Sequence, residues 1–250
     1  TANVYAIPLA STSGPLYFDG TKVANPVASL NALNGNNQWY FDSGARILYI
    51  YSLTNPSKRT IEAAAIAPRD YGVLISNKNY VTITNLSIQK TRLFGIEIAT
   101  ADHVALTNIE SANHGSSGID VERGSSNITI SGGSSHDNGG RAGADSNGIG
   151  TGGLGAASTP ITISGVEVYD NVHDDIEMYG PSGGTAVITV QNNYIHGGSL
   201  GGIRVDGPGA QTITITGNLI IGTANHGIVG IGAASPAVLV YNNTIAGNVR

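Results

Sequence analysis

Glu97, Asp120, Glu177 and Arg204 occupy the same place in a four-residue motif that returns along the chain. Carboxyl groups aligned with a guanidinium are suited to proton transfer. A carboxylic acid gives a proton to a leaving group, a carboxylate takes one from an attacking water, and a guanidinium holds an anion beside it. Asp174 and Asp175 form an adjacent acid pair, with His173 before it and Glu177 after it. His226 stands just before the last copy of the motif, and Asp145 lies in the long segment 136–147. These residues stand out because charge is scarce. The chain has 12 basic and 17 acidic side chains in 250 residues, or 12%, against about 25% in an average soluble domain.

The motif that aligns them is glycine–apolar–any–apolar, starting at Gly72, Gly95, Gly118, Gly148, Gly202 and Gly227. Asp175-Ile176-Glu177-Met178 is a further copy in which an acid replaces the glycine, the clearest break in the pattern. Breaks in a consistent pattern are where function is expected. Between copies runs an alternating apolar strand that ends in Asn or Gly, such as Val104-Ala105-Leu106-Thr107-Asn108 or Ile161-Thr162-Ile163-Ser164-Gly165. A third short strand follows, as in Leu86-Ser87-Ile88. Period-2 alternation of β-branched residues means half-buried strands. Strands this short cannot bury a face alone, but coils stacked in one direction bury a continuous core, with parallel strands about 4.8 Å apart. Asn and Gly suit a left-handed bend between sheets, and asparagines stacked at such bends can bond along the stack.

The two apolar positions then face inward and the variable one outward. The outward column reads Leu74, Glu97, Asp120, Gly150, Glu177, Arg204, Val229. Long loops flank this strand on both sides and are expected to wall a groove. His136, Tyr169 and His196 share a repeat position elsewhere and read as a structural stack.

The repeat resembles the right-handed parallel β-helix family, the architecture of pectate lyases, polygalacturonases and phage tailspikes. The resemblance covers roughly residues 60–250 and implies an all-β solenoid of about seven to eight coils. Ahead of it, Trp39-Tyr40-Phe41-Asp42 and Ile47-Leu48-Tyr49-Ile50-Tyr51 read as a hairpin around Asp42-Ser43-Gly44. Residues 1–58 are expected to form an N-terminal capping module, and 59–250 the helix. In this family glycans lie along the groove face, which implies a polysaccharide partner. Asp174-Asp175 is similar to the acid pair of polygalacturonases, but the Gly-His-Gly and Arg-Ile-Lys motifs that follow it there have no ordered counterpart here.

Spacing separates the chemistries. Glu97 and Asp120 sit on neighbouring turns, about 4.8 Å apart at the backbone, and Asp120 and Glu177 two turns apart, about 10 Å. Carboxylates about 5–5.5 Å apart fit retaining glycoside hydrolysis, and about 6.5–9.5 Å fits inversion. The first reading is a glycoside hydrolase in which Asp120, Asp174, Glu177 and Arg204 act in catalysis and Glu97, Asp145, Asp175 and His226 hold substrate. The second is a calcium-assisted polysaccharide lyase with Arg204 as base, since no lysine follows Lys90. The third is a non-catalytic structural, adhesive or self-assembling β-helix. The Asp-Pro-His signature of polymer epimerases on this fold is absent.

Composition excludes other classes. A net charge of −5 offers no basic footprint for nucleic acid. No apolar run approaches the roughly 18 residues of a membrane span. With no cysteine there is no disulfide or thiolate metal site, and no His-rich spacing suggests zinc; no cofactor is assigned, and calcium enters only with the lyase reading and with the adjacent carboxylates Glu97 and Asp120. The sole methionine is Met178, which reads as a processed or excised piece with any signal peptide already gone, and the resemblance to secreted bacterial β-helix proteins implies a secreted or cell-surface, bacterial protein. The last strand lacks a polar cap, so a chain continuing past Arg250 or a second copy is expected to cover that edge.

Overall fold

The computed structural model describes residues 3–8, 16–23, 26–63, 69–141, 146–152, 160–180, 185–207, 210–230 and 237–249. Seven parallel strands stack in sequence order into one sheet: Tyr71–Ser76, Phe94–Ala99, Ile119–Glu122, Ile149–Gly152, Asp174–Tyr179, Gly201–Asp206 and His226–Gly230. Their register is the one the motif implies. Leu74 lies opposite Glu97, Glu97 opposite Asp120, Asp120 opposite Gly150, Gly150 opposite Glu177, and Glu177 opposite Arg204. The alternating strands form a second, 11-stranded parallel sheet. Together the sheets make a right-handed solenoid of about six turns. This is slightly fewer than the seven to eight expected, because seven stacked strands enclose only six full intervals.

The bends fall where the sequence puts Asn or Gly. Asn85, Asn108, Gly132, Gly165, Asn192, Gly217 and Asn242 all have φ between +52° and +66°. The expected asparagine bonding along the stack is present, with Asn108 Nδ2 donating to Asn85 Oδ1 at 2.7 Å. A second ladder lies inside, where Asn193, Asn218 and Asn243 bond in series at 2.9–3.0 Å. His136, Tyr169 and His196 stack face to face, with ring centroids 4.4 and 4.8 Å apart.

Inside, each isoleucine after the motif glycine stacks on its counterpart: Ile96, Ile119, Ile149, Ile176 and Ile203 are all at most 1% exposed. The neighbouring inward column reads Ile98, Val121, Thr151, Met178, Val205. Thr151 is the polar member, and its buried Oγ1 has no hydrogen-bond partner. Burying an unsatisfied hydroxyl costs about 1–3 kcal/mol. Thr151→Val is therefore expected to raise stability by about 1 kcal/mol, seen as a melting point about 2–4 °C higher. A drop in the circular-dichroism melt would contradict this.

The motif glycine is required by close approach rather than by a turn. A Cβ on Gly118 would meet Ser135 Oγ at 2.1 Å and Asn138 Nδ2 at 2.7 Å, and one on Gly148 would meet Asn171 Nδ2 at 2.6 Å. In each of these coils the glycine makes room for an asparagine from the corner that follows the third strand. One coil reverses the pair: Asp175 replaces the glycine and Gly198 replaces the asparagine. A Cβ on Gly198 would lie 2.5 Å from Asp175 Oδ2. Asp175 therefore points into the solenoid and is fully buried. The expectation that it faces substrate is corrected by this exchange of interior groups.

The N-terminal segment forms two small antiparallel sheets. Ile47–Tyr51 pairs with Val4–Pro8 and Trp39–Asp42, and Leu16–Phe18 pairs with Thr21–Lys22 and Ile61–Ala63. The hairpin after Asp42 is present, with Asp42 Oδ1 accepting from the Gly44 and Ala45 amides at 2.9 Å. Leu16, Phe18, Trp39, Leu48 and Ile50 give this part its own core. It docks along a corner of the solenoid. Tyr17 Oη donates to the Asn113 carbonyl at 2.6 Å and Lys22 Nζ to the Asp137 carbonyl at 2.5 Å.

Candidate functional site

The outward column of the seven-stranded sheet opens into a cleft of about 700 Å³. Its floor is the strand Ile149–Gly152, where the two outward positions are Gly150 and Gly152 and carry no side chain. Asp120 and Glu122 rise on one side, from the coil before. Glu177 and Tyr179 rise on the other, from the coil after. Asp120 leans over the gap: a Cβ on Gly150 would lie 2.8 Å from Asp120 Oδ1. The carboxyl groups of Asp120 and Glu177 thus face each other across a floor one coil wide.

Glu177 is fixed from two directions. Asn147 Nδ2 donates to its Oε2 at 2.7 Å, and Arg204 Nε lies 3.6 Å from its Oε1. Asn147 is itself oriented, because its Oδ1 accepts from the Asp174 amide at 3.3 Å and lies 3.2 Å from His173 Nδ1. Arg204 is shared among three acids. Nη2 donates to Asp206 Oδ2 at 2.6 Å, Nη1 lies 3.7 Å from Asp174 Oδ2, and Nε faces Glu177. Burial opposes the charge on Arg204, but the Asp206 bond and the fields of Glu177 and Asp174 outweigh it and raise its pKa further. A guanidinium held this way does not release its proton. Asp174, at 1% exposure, lies behind the cleft wall and also reaches His173 Nδ1 at 3.2 Å. That contact raises the His173 pKa above its ordinary value, against the opposing effect of burial.

Of the residues expected from the sequence, Asp120, Glu177 and Arg204 line the cleft and Asp174 supports it. Glu97 lies one coil before Asp120, outside the cleft lining, and is buried with Tyr71 hydrogen-bonded to it. His226, opposite Gly201, is likewise not among the lining residues. Asp175 is interior, as described above, and Asp145 lies outside the described residues. Among the described residues no three Asp, Glu, His or Cys side chains gather as a metal site. Asp174, Glu177 and Asp206 all turn toward Arg204.

Residues 71–248 match the family described as "right handed beta helix region". The chain belongs to the right-handed β-helix family. Comparison with curated proteins finds no match. Among solved structures, this β-helix protein is similar to the pectate lyase Pel9A, with 15% identity over 70% of this chain and 47% of that one, TM-score 0.57. It is also similar to the A-module of the Azotobacter vinelandii mannuronan C-5 epimerase AlgE4, with 19% identity over 71% and 54%, TM-score 0.50. At these identities the likeness concerns the fold, and the β-helix protein spans about half the length of the structures it matches.

Several cleft residues escaped the four-residue motif. Glu122, Gly152, Tyr179 and Asp206 stand two positions beyond the outward residue and, by strand alternation, face the same way. Extending the motif to five residues would have found this second column. Asn147 stands in the column just before the motif glycine, with Phe94, Ser117, Asp174, Gly201 and His226, and His173 comes from the segment before that column.

Proposed function

We propose that this β-helix protein is a carbohydrate-active enzyme, a glycoside hydrolase acting on a polysaccharide laid across the glycine floor. The observation that carries this reading is the pair of carboxyl groups, Asp120 and Glu177, on opposite sides of a strip one coil wide whose outward positions, Gly150 and Gly152, carry no side chains. The cleft volume lies in the range of about 300–1,000 Å³ usual for small-molecule sites, and its solvent-facing walls leave room for a chain to run past. Two coil steps set the strands of the pair about 10 Å apart. The lean of Asp120 over Gly150 shortens the gap toward the roughly 6.5–9.5 Å of inverting enzymes.

In this reading Asp120 protonates the departing glycosidic oxygen. Glu177, oriented by Asn147 and Arg204, removes a proton from the water that attacks the anomeric carbon, so the bond to the leaving sugar breaks as the bond to water forms. Asp174 and Asp206 act through Arg204 as positioning residues. The lyase alternative needs Arg204 as a base, and its three acidic neighbours oppose that role.

The test is the release of reducing ends from a polysaccharide panel by the wild type, Asp120→Asn and Glu177→Gln. Each substitution is expected to lower kcat by about 10²–10⁴-fold, the usual worth of a general acid or base, with little change in melting point. Equal rates in all three proteins would sink the hydrolase reading.

A further inference from the structure

We infer that the cleft selects glycans whose sugar over the floor carries no carboxylate, and that Asp206 and Glu122 are the residues that enforce this. The inference rests on the glycan reading above and adds the charge class of the substrate.

The argument is one of charge count and geometry. Asp120, Glu122, Glu177 and Asp206 all line the cleft. Its basic side chains are Arg141, Arg204 and His173. Arg204 is the cation nearest the floor, and its guanidinium is already committed: Asp206 takes Nη2 at 2.6 Å, Glu177 faces Nε and Asp174 faces Nη1. Asp206 is held in turn, its Oδ1 accepting from the Gly207 amide at 2.7 Å. Glu122, on the opposite wall, has its own cation in Arg123, at 3.2 Å on the exposed side. His173 is engaged by Asp174.

A uronate carboxylate entering this space would meet four acids, Asp120, Glu122, Glu177 and Asp206, against two arginines, Arg141 and Arg204, and Arg204 is already occupied by Asp206. Like charges brought together in a partly desolvated site oppose binding. Discrimination of this kind comes from repulsion built against the wrong ligand as much as from contacts to the right one.

The experiment is titration calorimetry of wild type, Asp206→Asn and Glu122→Gln with neutral tetrasaccharides (gluco-, galacto- and N-acetylglucosamine series) and with tetragalacturonate and tetramannuronate. The wild type is expected to bind at least one neutral ligand at least tenfold more tightly than either uronate. Asp206→Asn removes the negative charge that competes for Arg204 and is expected to tighten uronate binding about tenfold relative to neutral binding. Glu122→Gln is expected to act in the same direction, more weakly. Both variants keep an acceptor oxygen at the same place, and their melting points report whether the fold holds. Tighter binding of a uronate than of every neutral ligand by the wild type would overturn the inference and leave the hydrolase reading standing. So would uronate affinity that neither variant improves. Binding of none of the oligosaccharides would overturn both.

Discussion

Gly150→Val is expected to abolish turnover of any glycan the protein accepts while leaving the solenoid folded. The position tolerates a side chain, since its counterparts in other coils are Leu74 and Val229 and its backbone is ordinary extended strand. A β-branched residue on a strand is favourable in itself, and the melting point is expected to hold or rise slightly. The new side chain would nevertheless stand on the floor of the cleft. Its Cβ would come within 2.8 Å of Asp120 Oδ1, and the flexible carboxyl tip would give way. The substitution thus fills the space for a sugar ring and displaces one of the two acids. A loss of at least about 10²-fold in kcat/KM is expected, on the scale of misplacing a catalytic group by about 1 Å. Full activity in a folded Gly150→Val protein would mean that the reaction lies elsewhere on the surface.

The largest effect on stability is expected at the reversed interior pair. Gly198→Asn alone drives a side chain against Asp175 Oδ2, and overpacking a core costs about 1–3 kcal/mol. Asp175→Gly alone leaves a cavity and takes from Asn171 Nδ2 the acceptor it now meets at 2.8 Å. The double variant, Asp175→Gly with Gly198→Asn, recreates the arrangement of Gly148 with Asn171. It is expected to recover most of both losses, with a coupling of about 1–3 kcal/mol in urea unfolding. Additive losses would show that the two positions do not exchange roles.

The pH dependence supplies a second check on the same pair. Burial pushes the Asp175 pKa well above its ordinary value, although the Asn171 side chain and the backbone amides of Asn171 and Gly198 pull the other way. The folded protein therefore keeps a proton that the unfolded chain releases near pH 4. The contribution of Asp175 to stability is fully present below that unfolded value and is lost as pH rises through the raised folded one. The double variant is expected to lose this decline.

The fold was readable because its interior repeats. Ile, Val and Leu recur with period 2 on every coil, and Asn or Gly marks every bend, so local pattern and global architecture agree. The site was readable only in part. Asp120, Glu177 and Arg204 emerged because one outward position was followed from coil to coil. Their setting lies outside the motif: Asn147 reaches Glu177 from the position just before the glycine, and Asp206 stands beyond the motif's last residue. Asp175 was misplaced for an instructive reason. A lone acid in a glycine column looks like function when the column is read by itself. Its meaning lies in Gly198, 23 positions later, which no single strand pattern links to it.

The corner pairing within each coil has a geometric consequence. Gly118 is matched by Asn138 and Gly148 by Asn171, and Asn138 Nδ2 donates to Asn171 Oδ1 at 2.9 Å, so successive coils join through the same corner contact and stack as repeating steps. The distance between the two acids is then quantised, changing only in steps of about 4.8 Å. With one coil between them the acids stand far enough apart to admit a water. With none they would stand at the spacing of a direct nucleophile. On such a scaffold, the stereochemistry of a hydrolytic reaction can be set by counting turns.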